Sequence, residues 1–202
     1  MHYADIINLA LSDNLMILLA YLVGGISPGY LLVRILLDTD LRTVGSGSLG
    51  ATNVGRVLGK KGFYFTLVAD ILKGAVMVWL SKWLGFSPAV VAAVAVVVIA
   101  GHIWPIWHHF HGGKGIATGL GAVIALDYTI LLIGGVVLLV TYMMFRRFLP
   151  SWIVTVAAMP LISYILGYPL AVVVPLILAA AIVVFAHKEN IRQQGFLSEN
   201  KG

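Results

Sequence analysis

The chain has 202 residues, of which 60% are hydrophobic and 10% charged, with a mean hydropathy of +1.00. A soluble domain carries about 25% charged residues, so this composition excludes an ordinary water-soluble globule and points to a chain built for a bilayer. Cysteine is absent, which excludes a disulfide frame and any thiolate metal site. The formal net charge of +5 rests on so few residues that its placement matters more than its sum, and no nucleic-acid partner is expected.

In chain order, the N-terminus lacks a basic n-region and a small-residue cleavage site, so no removable signal peptide is expected. Residues 3–13, YADIINLALSD, are a candidate for a short helix lying on the outer surface. Runs long enough to cross about 30 Å of hydrocarbon as helices are 15–37, 63–84 and 87–104. The run 115–145 would be about 46 Å long as one helix, too long for an upright span. Asp127-Tyr128 divides it into 115–126 and 128–146, and Gly167-Tyr168-Pro169 divides 151–187 in the same way. The expectation is an all-α, polytopic membrane protein of seven spans in one domain, residues 1–202, with no internal repeat.

Charge placement orients it. With the N-terminus outside, seven crossings gather Arg42, Arg56, Lys60, Lys61, Lys114, Arg146, Arg147, Lys188, Arg192 and Lys201 on one side and leave Lys82 on the other. Such a bias marks the cytoplasmic face, which also places the C-terminus there. Reading 115–145 as a single span would export Arg146, Arg147 and the basic tail.

Three polar stretches meet on that face. In GSGSLGATNVGRVLGKKG, residues 45–62, Gly45, Gly47, Gly50 and Gly55 let backbone amides turn toward an anion. Ser46, Thr52 and Asn53 add hydrogen-bonding groups, and Arg56 offers a planar fork suited to phosphate. The competing interpretation is a flexible loop whose basic residues serve orientation or touch anionic lipid. No lysine followed by Ser or Thr opens a helix here, so this is not a Walker loop.

The second stretch is GHIWPIWHHFHGGKGIATG. Gly112, Gly113 and Gly115 surround Lys114, and the next span begins at once with Ile116-Ala117-Thr118. A helix N-terminus presents free amides and a partial positive charge, so an anion can sit there beside the lysine. Trp104 and Trp107 suit the interfacial belt as plain anchors. His108, His109 and His111 have no carboxylate among them, so no metal is expected. His102 lies nearer the membrane and can orient the loop by hydrogen bonding.

The third stretch is AHKENIRQQGFLSEN. His187, Glu189 and Asn190 cluster where the last span ends, with Glu199 beyond them. A histidine there can be a base, a phosphate donor or only a cation at a helix end. Asp70 and Lys73, three apart within the second span, share a helical face. Charges inside a span are paired or functional, so they pair structurally or Lys73 points at the site.

GSGSLGATNVGR, GHIWPIWHHFHGGKGIAT and HKENI, with DILKG at 70–74, resemble in order and spacing the signature stretches of the bacterial acyl-phosphate:glycerol-3-phosphate 1-acyltransferases. The likeness runs over nearly the whole chain. It implies an integral enzyme of phospholipid synthesis in the bacterial cytoplasmic membrane, its site facing the cytoplasm. The implied reaction moves a fatty acyl group from acyl phosphate to the 1-hydroxyl of glycerol 3-phosphate, giving lysophosphatidic acid and phosphate without metal or cofactor. By motif match Ser46 and Arg56 take essential roles, and the glycines around Lys114 bind glycerol 3-phosphate. His187 and Asn190 take the third motif's activity roles, and Glu199 stands where a structural glutamate is expected. Ser48-Leu49 replaces a common Asn-Pro, His111 a common Lys, and Gln193 a usual Arg. No Asp lies five positions after His102, His108, His109, His111 or His187, which argues against the soluble His-x4-Asp class. The alternative is a transporter of an anionic metabolite. Its sites tend to lie at the midplane between repeated halves, whereas these polar residues collect at one face. A lipid-binding structural protein leaves two phosphate-style loops unexplained.

Overall fold

The apolar stretch from residue 3 carries no Pro and no Gly before Gly24. In the computed structural model, which describes residues 3–194, it forms one helix, α1 (Tyr3–Gly25). The separate surface helix expected at 3–13 is therefore the first part of α1. The polar pair Asp13-Asn14 does not interrupt it, because Asn14 Nδ2 donates back to the Ala10 carbonyl at 2.8 Å. Gly24-Gly25 end it, and α2 (Pro28–Leu37) starts behind Ser27, whose hydroxyl accepts from the Tyr30 amide at 3.3 Å. The expected span 15–37 is thus an elbowed pair.

A 3-10 turn at Leu41–Thr43 leads to α3 (Ala51–Trp83). The sequence places a loop as far as residue 62, but the helix already begins after Gly50. Thr52, Asn53 and Arg56 accordingly sit on helical turns. The helix breaks at Gly59 (φ 71°, ψ −165°). Nothing lies within 4 Å of where a Cβ would be, so conformation and not space calls for glycine there.

Then follow α4 (Pro88–Ile103), α5 (Ile116–Leu126), α6 (Tyr128–Phe145), α7 (Phe148–Ile165), α8 (Leu170–Ala186) and the short α9 (Lys188–Gln194). The breaks fall where the sequence places them. Asp127 ends α5 and caps α6, its Oδ1 accepting from the Thr129 amide at 2.6 Å. Gly167 (φ 84°) and Pro169 separate α7 from α8. The Tyr168 hydroxyl donates to Asp127 Oδ2 at 2.6 Å and fastens the two turns together. Lys82 closes the same end by donating to the Ala125 and Leu126 carbonyls at 3.1 Å, a favourable cation at a helix C-terminus.

No strand occurs among the described residues. Among the described residues five helical segments are long and apolar enough to cross a membrane, the α1–α2 pair counting as one from Ala10 to Leu37; α5 and α8 are shorter apolar helices. Helix α4 lies at the centre, packed against α1, α3, α5 and α8, with Ala92, Val94 and Val98 fully buried. Apolar side chains such as Ile35, Trp83, Met144 and Ile165 point outward, as a lipid-facing surface requires.

Without a hydrophobic drive between helices in lipid, small residues that admit close backbone approach carry the packing. A Cβ on Gly24 would collide with the Val98 carbonyl, and one on Gly101 with the Tyr21 carbonyl, so α1 and α4 touch backbone to backbone. Gly74 and Gly121 do the same for α3 and α5, against the Thr118 and Ile71 carbonyls. These two interfaces fix where α4 and α5 begin and end, and hence the loops at their tips.

Candidate active site

A small core of Val33, Leu41, Leu49 and Val54 seats the first glycine-rich loop on α2 and α3. Within it Asn53, 1% exposed, is fully engaged. Its Oδ1 accepts from the Ser46 amide at 2.8 Å. Its Nδ2 donates to the Val44 and Ser48 carbonyls at 3.0 and 2.9 Å. Asn53 therefore shapes the loop and has no group left for a phosphate, contrary to the donor role expected of it. Gly45 (φ 61°) and Gly47 (φ 69°) lie in the left-handed region, and a Cβ on Gly45 would fall on Asn53 Oδ1. The result presents Ser46, Thr52 and Arg56 as exposed groups.

The second loop is seated on the end of α4. The Gly113 amide donates to the His102 carbonyl at 3.1 Å. A Cβ on Gly112 would strike that carbonyl and one on Gly113 the His102 ring. The sequence accounts for these glycines by anion approach; the structure adds that only glycine lets the turn lie on α4. Gly115 (φ 85°) then opens α5 as its N-cap, leaving the first amides of α5 without helical partners. The two loops join where the Leu49 amide donates to the Gly112 carbonyl at 3.2 Å.

The third stretch completes the cluster. Lys114 Nζ donates to Asn190 Oδ1. Burial lowers the pKa of Lys114 from its ordinary value, and the Arg56 guanidinium adds to this, so two cations from different loops share one field. His187 caps α8, buried, with its ring edge-on to Trp152 at 4.2 Å between centroids. Its Nδ1 lies 2.8 Å from the Val183 carbonyl, which can only accept, so Nδ1 carries the proton and Nε2 has the free lone pair. Burial, with a smaller push from the Lys114 charge, lowers its pKa to about 4. Beyond Val184, one turn before His187, an apolar groove of about 550 Å³ runs between α7 and α8, lined among others by Pro160, Tyr164, Val173, Ile177 and Ala181.

Several expected residues lie elsewhere. Lys73, Asp70 and His102 form a buried cluster beneath the second loop, Lys73 bonded to Asp70 and His102 and therefore not free for substrate. Thr118 is fully buried against α3. Glu199 lies outside the described residues. Among the described residues no three His, Cys, Asp or Glu side chains converge as metal ligands.

A strap between the two loops, formed by Asp40, Arg42 and His109, has no counterpart among the expected residues. Asp40 holds Arg42 by three side-chain hydrogen bonds of 2.6–3.1 Å, which lowers the Asp40 pKa to about 2. Arg42 Nη1 lies 3.4 Å from His109 Nδ1, tying the first loop to the second. The available signal was the Asp-x-Arg spacing before a short turn, where a carboxylate can accept from the amide two residues on.

A family model described as Glycerol-3-phosphate acyltransferase matches residues 14–194. The chain belongs to the glycerol-3-phosphate acyltransferase family. It is 40% identical over 181 residues to Glycerol-3-phosphate acyltransferase 1 of Desulfitobacterium hafniense (strain Y51), covering 90% of each chain. To Glycerol-3-phosphate acyltransferase of Endomicrobium trichonymphae it is 38% identical, covering 93% of this chain and 94% of the relative. Among solved structures it is similar to the glycerol 3-phosphate form of PlsY (YgiH), an integral membrane glycerol 3-phosphate acyltransferase. That match has a TM-score of 0.81 and 32% identity over 93% of this chain and 95% of the other. The lysophosphatidic acid form of the same enzyme matches with a TM-score of 0.79 and 30% identity at the same coverage. The membership agrees with the family resemblance that the three motifs carry.

Proposed function

We propose that this glycerol-3-phosphate acyltransferase uses acyl phosphate as its donor, in a seven-span arrangement with the N-terminus outside and the site on the cytoplasmic face of the bacterial inner membrane. The observation that carries it is the convergence of Lys114, Asn190 and His187 beside Arg56, at the one end where all three motifs meet. Both substrates bear a phosphate and one bears an apolar tail. A cationic pocket next to an apolar groove suits that pair.

In the proposed reaction the 1-hydroxyl of glycerol 3-phosphate attacks the acyl carbonyl, the carbonyl–phosphate C–O bond breaks, and inorganic phosphate leaves. Acyl phosphate is already activated, so catalysis comes chiefly from positioning the hydroxyl and neutralising the departing phosphate. Lys114, Arg56 and the α5 amides supply that neutralisation. The Gly112–Gly115 turn, with Thr52 and Ser46, holds glycerol 3-phosphate. Asn190 keeps Lys114 in place. A serine nucleophile needs an adjacent base, and among the described residues no carboxylate or histidine is bonded to Ser46, so in this reading Ser46 is a hydrogen-bond donor and no acyl-enzyme forms. A base held near pKa 4 is weak for an alcohol. A phosphate oxygen, with a second pKa of about 6, is the better acceptor of the hydroxyl proton, and Nε2 of His187 is left to accept a hydrogen bond that orients the hydroxyl. The acyl chain lies in the α7–α8 groove.

Purified protein given acyl phosphate and glycerol 3-phosphate should release phosphate and lysophosphatidic acid in equal amounts, with sequential kinetics. Radiolabelled acyl phosphate alone should leave no label on the denatured protein. Stoichiometric labelling that disappears in Ser46→Ala would replace this mechanism with a covalent one.

A further inference from the structure

We propose that Lys73, Asp70 and His102 form a charged brace inside the helix bundle that positions the Gly112–Lys114 turn for the phosphate of glycerol 3-phosphate without touching substrate; this rests on the function proposed above. Lys73 Nζ lies 2.8 Å from Asp70 Oδ1, and the two side chains are 8% and 2% exposed. The same Nζ lies 2.9 Å from His102 Nδ1 and donates to the Ile26 carbonyl at 2.8 Å. The ammonium thus has two hydrogen-bond partners and a paired carboxylate. The ammonium is locked among α3, α4 and the elbow between α1 and α2.

Such a cluster calls for a role beyond cohesion. Charged groups within a bundle are expensive to desolvate, and well-packed apolar side chains hold helices together as well or better. This one sits directly beneath the turn that carries Lys114. Because Lys73 can only donate, His102 Nδ1 accepts, and the neutral ring then carries its proton on Nε2. That edge of the ring is where a Cβ on Gly113 would land. The His102 carbonyl meanwhile receives the Gly113 amide at 3.1 Å. The brace therefore fixes the tautomer and rotation of the ring on which Gly113 rests. The next residue along is Lys114, bonded to Asn190. Asp70 aims the ammonium, and its Oδ1 is 3.4 Å from His102 Nδ1.

Positioning can be told from cohesion by which Michaelis constant moves. His102→Ala removes ring and acceptor. His102→Asn keeps an acceptor near the Nδ1 position. Asp70→Asn with Lys73→Met deletes both charges together, so neither is left buried alone. In purified protein, His102→Ala and the neutral double variant should raise KM for glycerol 3-phosphate about tenfold while KM for acyl phosphate stays within about twofold. His102→Asn should recover most of the loss. Folded variants with an unchanged glycerol 3-phosphate KM overturn the proposal. So do variants whose two KM values rise together, and so does failure of every variant to give a monodisperse protein, because the cluster would then be a folding requirement only. If the wild type transfers no acyl group but is thermally stabilised by glycerol 3-phosphate, the function proposed above falls. The brace is then judged on that stabilisation, which His102→Ala should abolish and His102→Asn should retain.

Discussion

Arg56, on the first turns of α3, and Lys114, in the second loop, come together so that the guanidinium adds to burial in lowering the affinity of Lys114 for its proton; a dianionic phosphate bound there, as proposed, would relieve that repulsion. An ammonium cannot replace a guanidinium fork, so Arg56→Lys should lower kcat/KM about tenfold or more, and Lys114→Ala about a hundredfold, in the phosphate-release assay. Equal kinetics in both variants and the wild type would remove these loops from the site. His187 gives a pH signature. Its folded pKa of about 4 lies below the usual 6.5, so between those values the unfolded chain takes up a proton that the folded one refuses. Its contribution to stability is full above about pH 6.5 and is lost as pH falls toward 4. The melting temperature in detergent should decline over that window, and His187→Gln should flatten the decline. The polar and basic stretches that the fold brings to one end were legible from their residue types and spacing. The division of labour was not. Asn53 and Ser46 are both small and polar, and only the fold shows that one is consumed in shaping the loop while the other faces out.

At the scale of elements, the breaks at Asp127 and Gly167 could be read because a charge and a Gly-Tyr-Pro run interrupt stretches too long to cross upright. The start of α3 could not. Glycine content around Gly50 and Gly55 reads as loop, yet tertiary packing of Val54 into the small core holds a helix there against weak local propensity. The lone exception within it, Gly59, has left-handed φ, so Gly59→Ala should strain the bend and lower stability by about 1 kcal/mol, measured by thermal unfolding. The α7–α8 groove makes a further prediction. From Val173 to Val184 it spans about 16 Å of helix, roughly the reach of a long acyl chain. Ile177→Trp near its middle should shift preference toward shorter acyl phosphates while leaving glycerol 3-phosphate KM unchanged. A chain-length profile identical to the wild type would place the acyl chain elsewhere.

For the whole molecule, alternation of the helices carries Ser46, Lys114 and Asn190 to one end and Ser87 and Gly167 to the other. Since the chain has no cysteine, single cysteines at these positions report without background. In sealed cells an impermeant thiol reagent should reach positions 87 and 167 from outside and fail at 46, 114 and 190. Labelling at 114 would invert the proposed topology. The end that carries Ser87 and Gly167 is also where the Tyr168 hydroxyl grips Asp127, and that bond has a mechanical consequence. It pins the α5–α6 turn to the α7–α8 turn, so the two helical hairpins behave like tongs riveted at the far end. Any spreading is smallest at the rivet and largest at the tips, where Lys114 meets Asn190. With the head group and acyl chain placed as proposed above, an amphiphilic product would slide sideways into the leaflet between the tips without the rivet being undone.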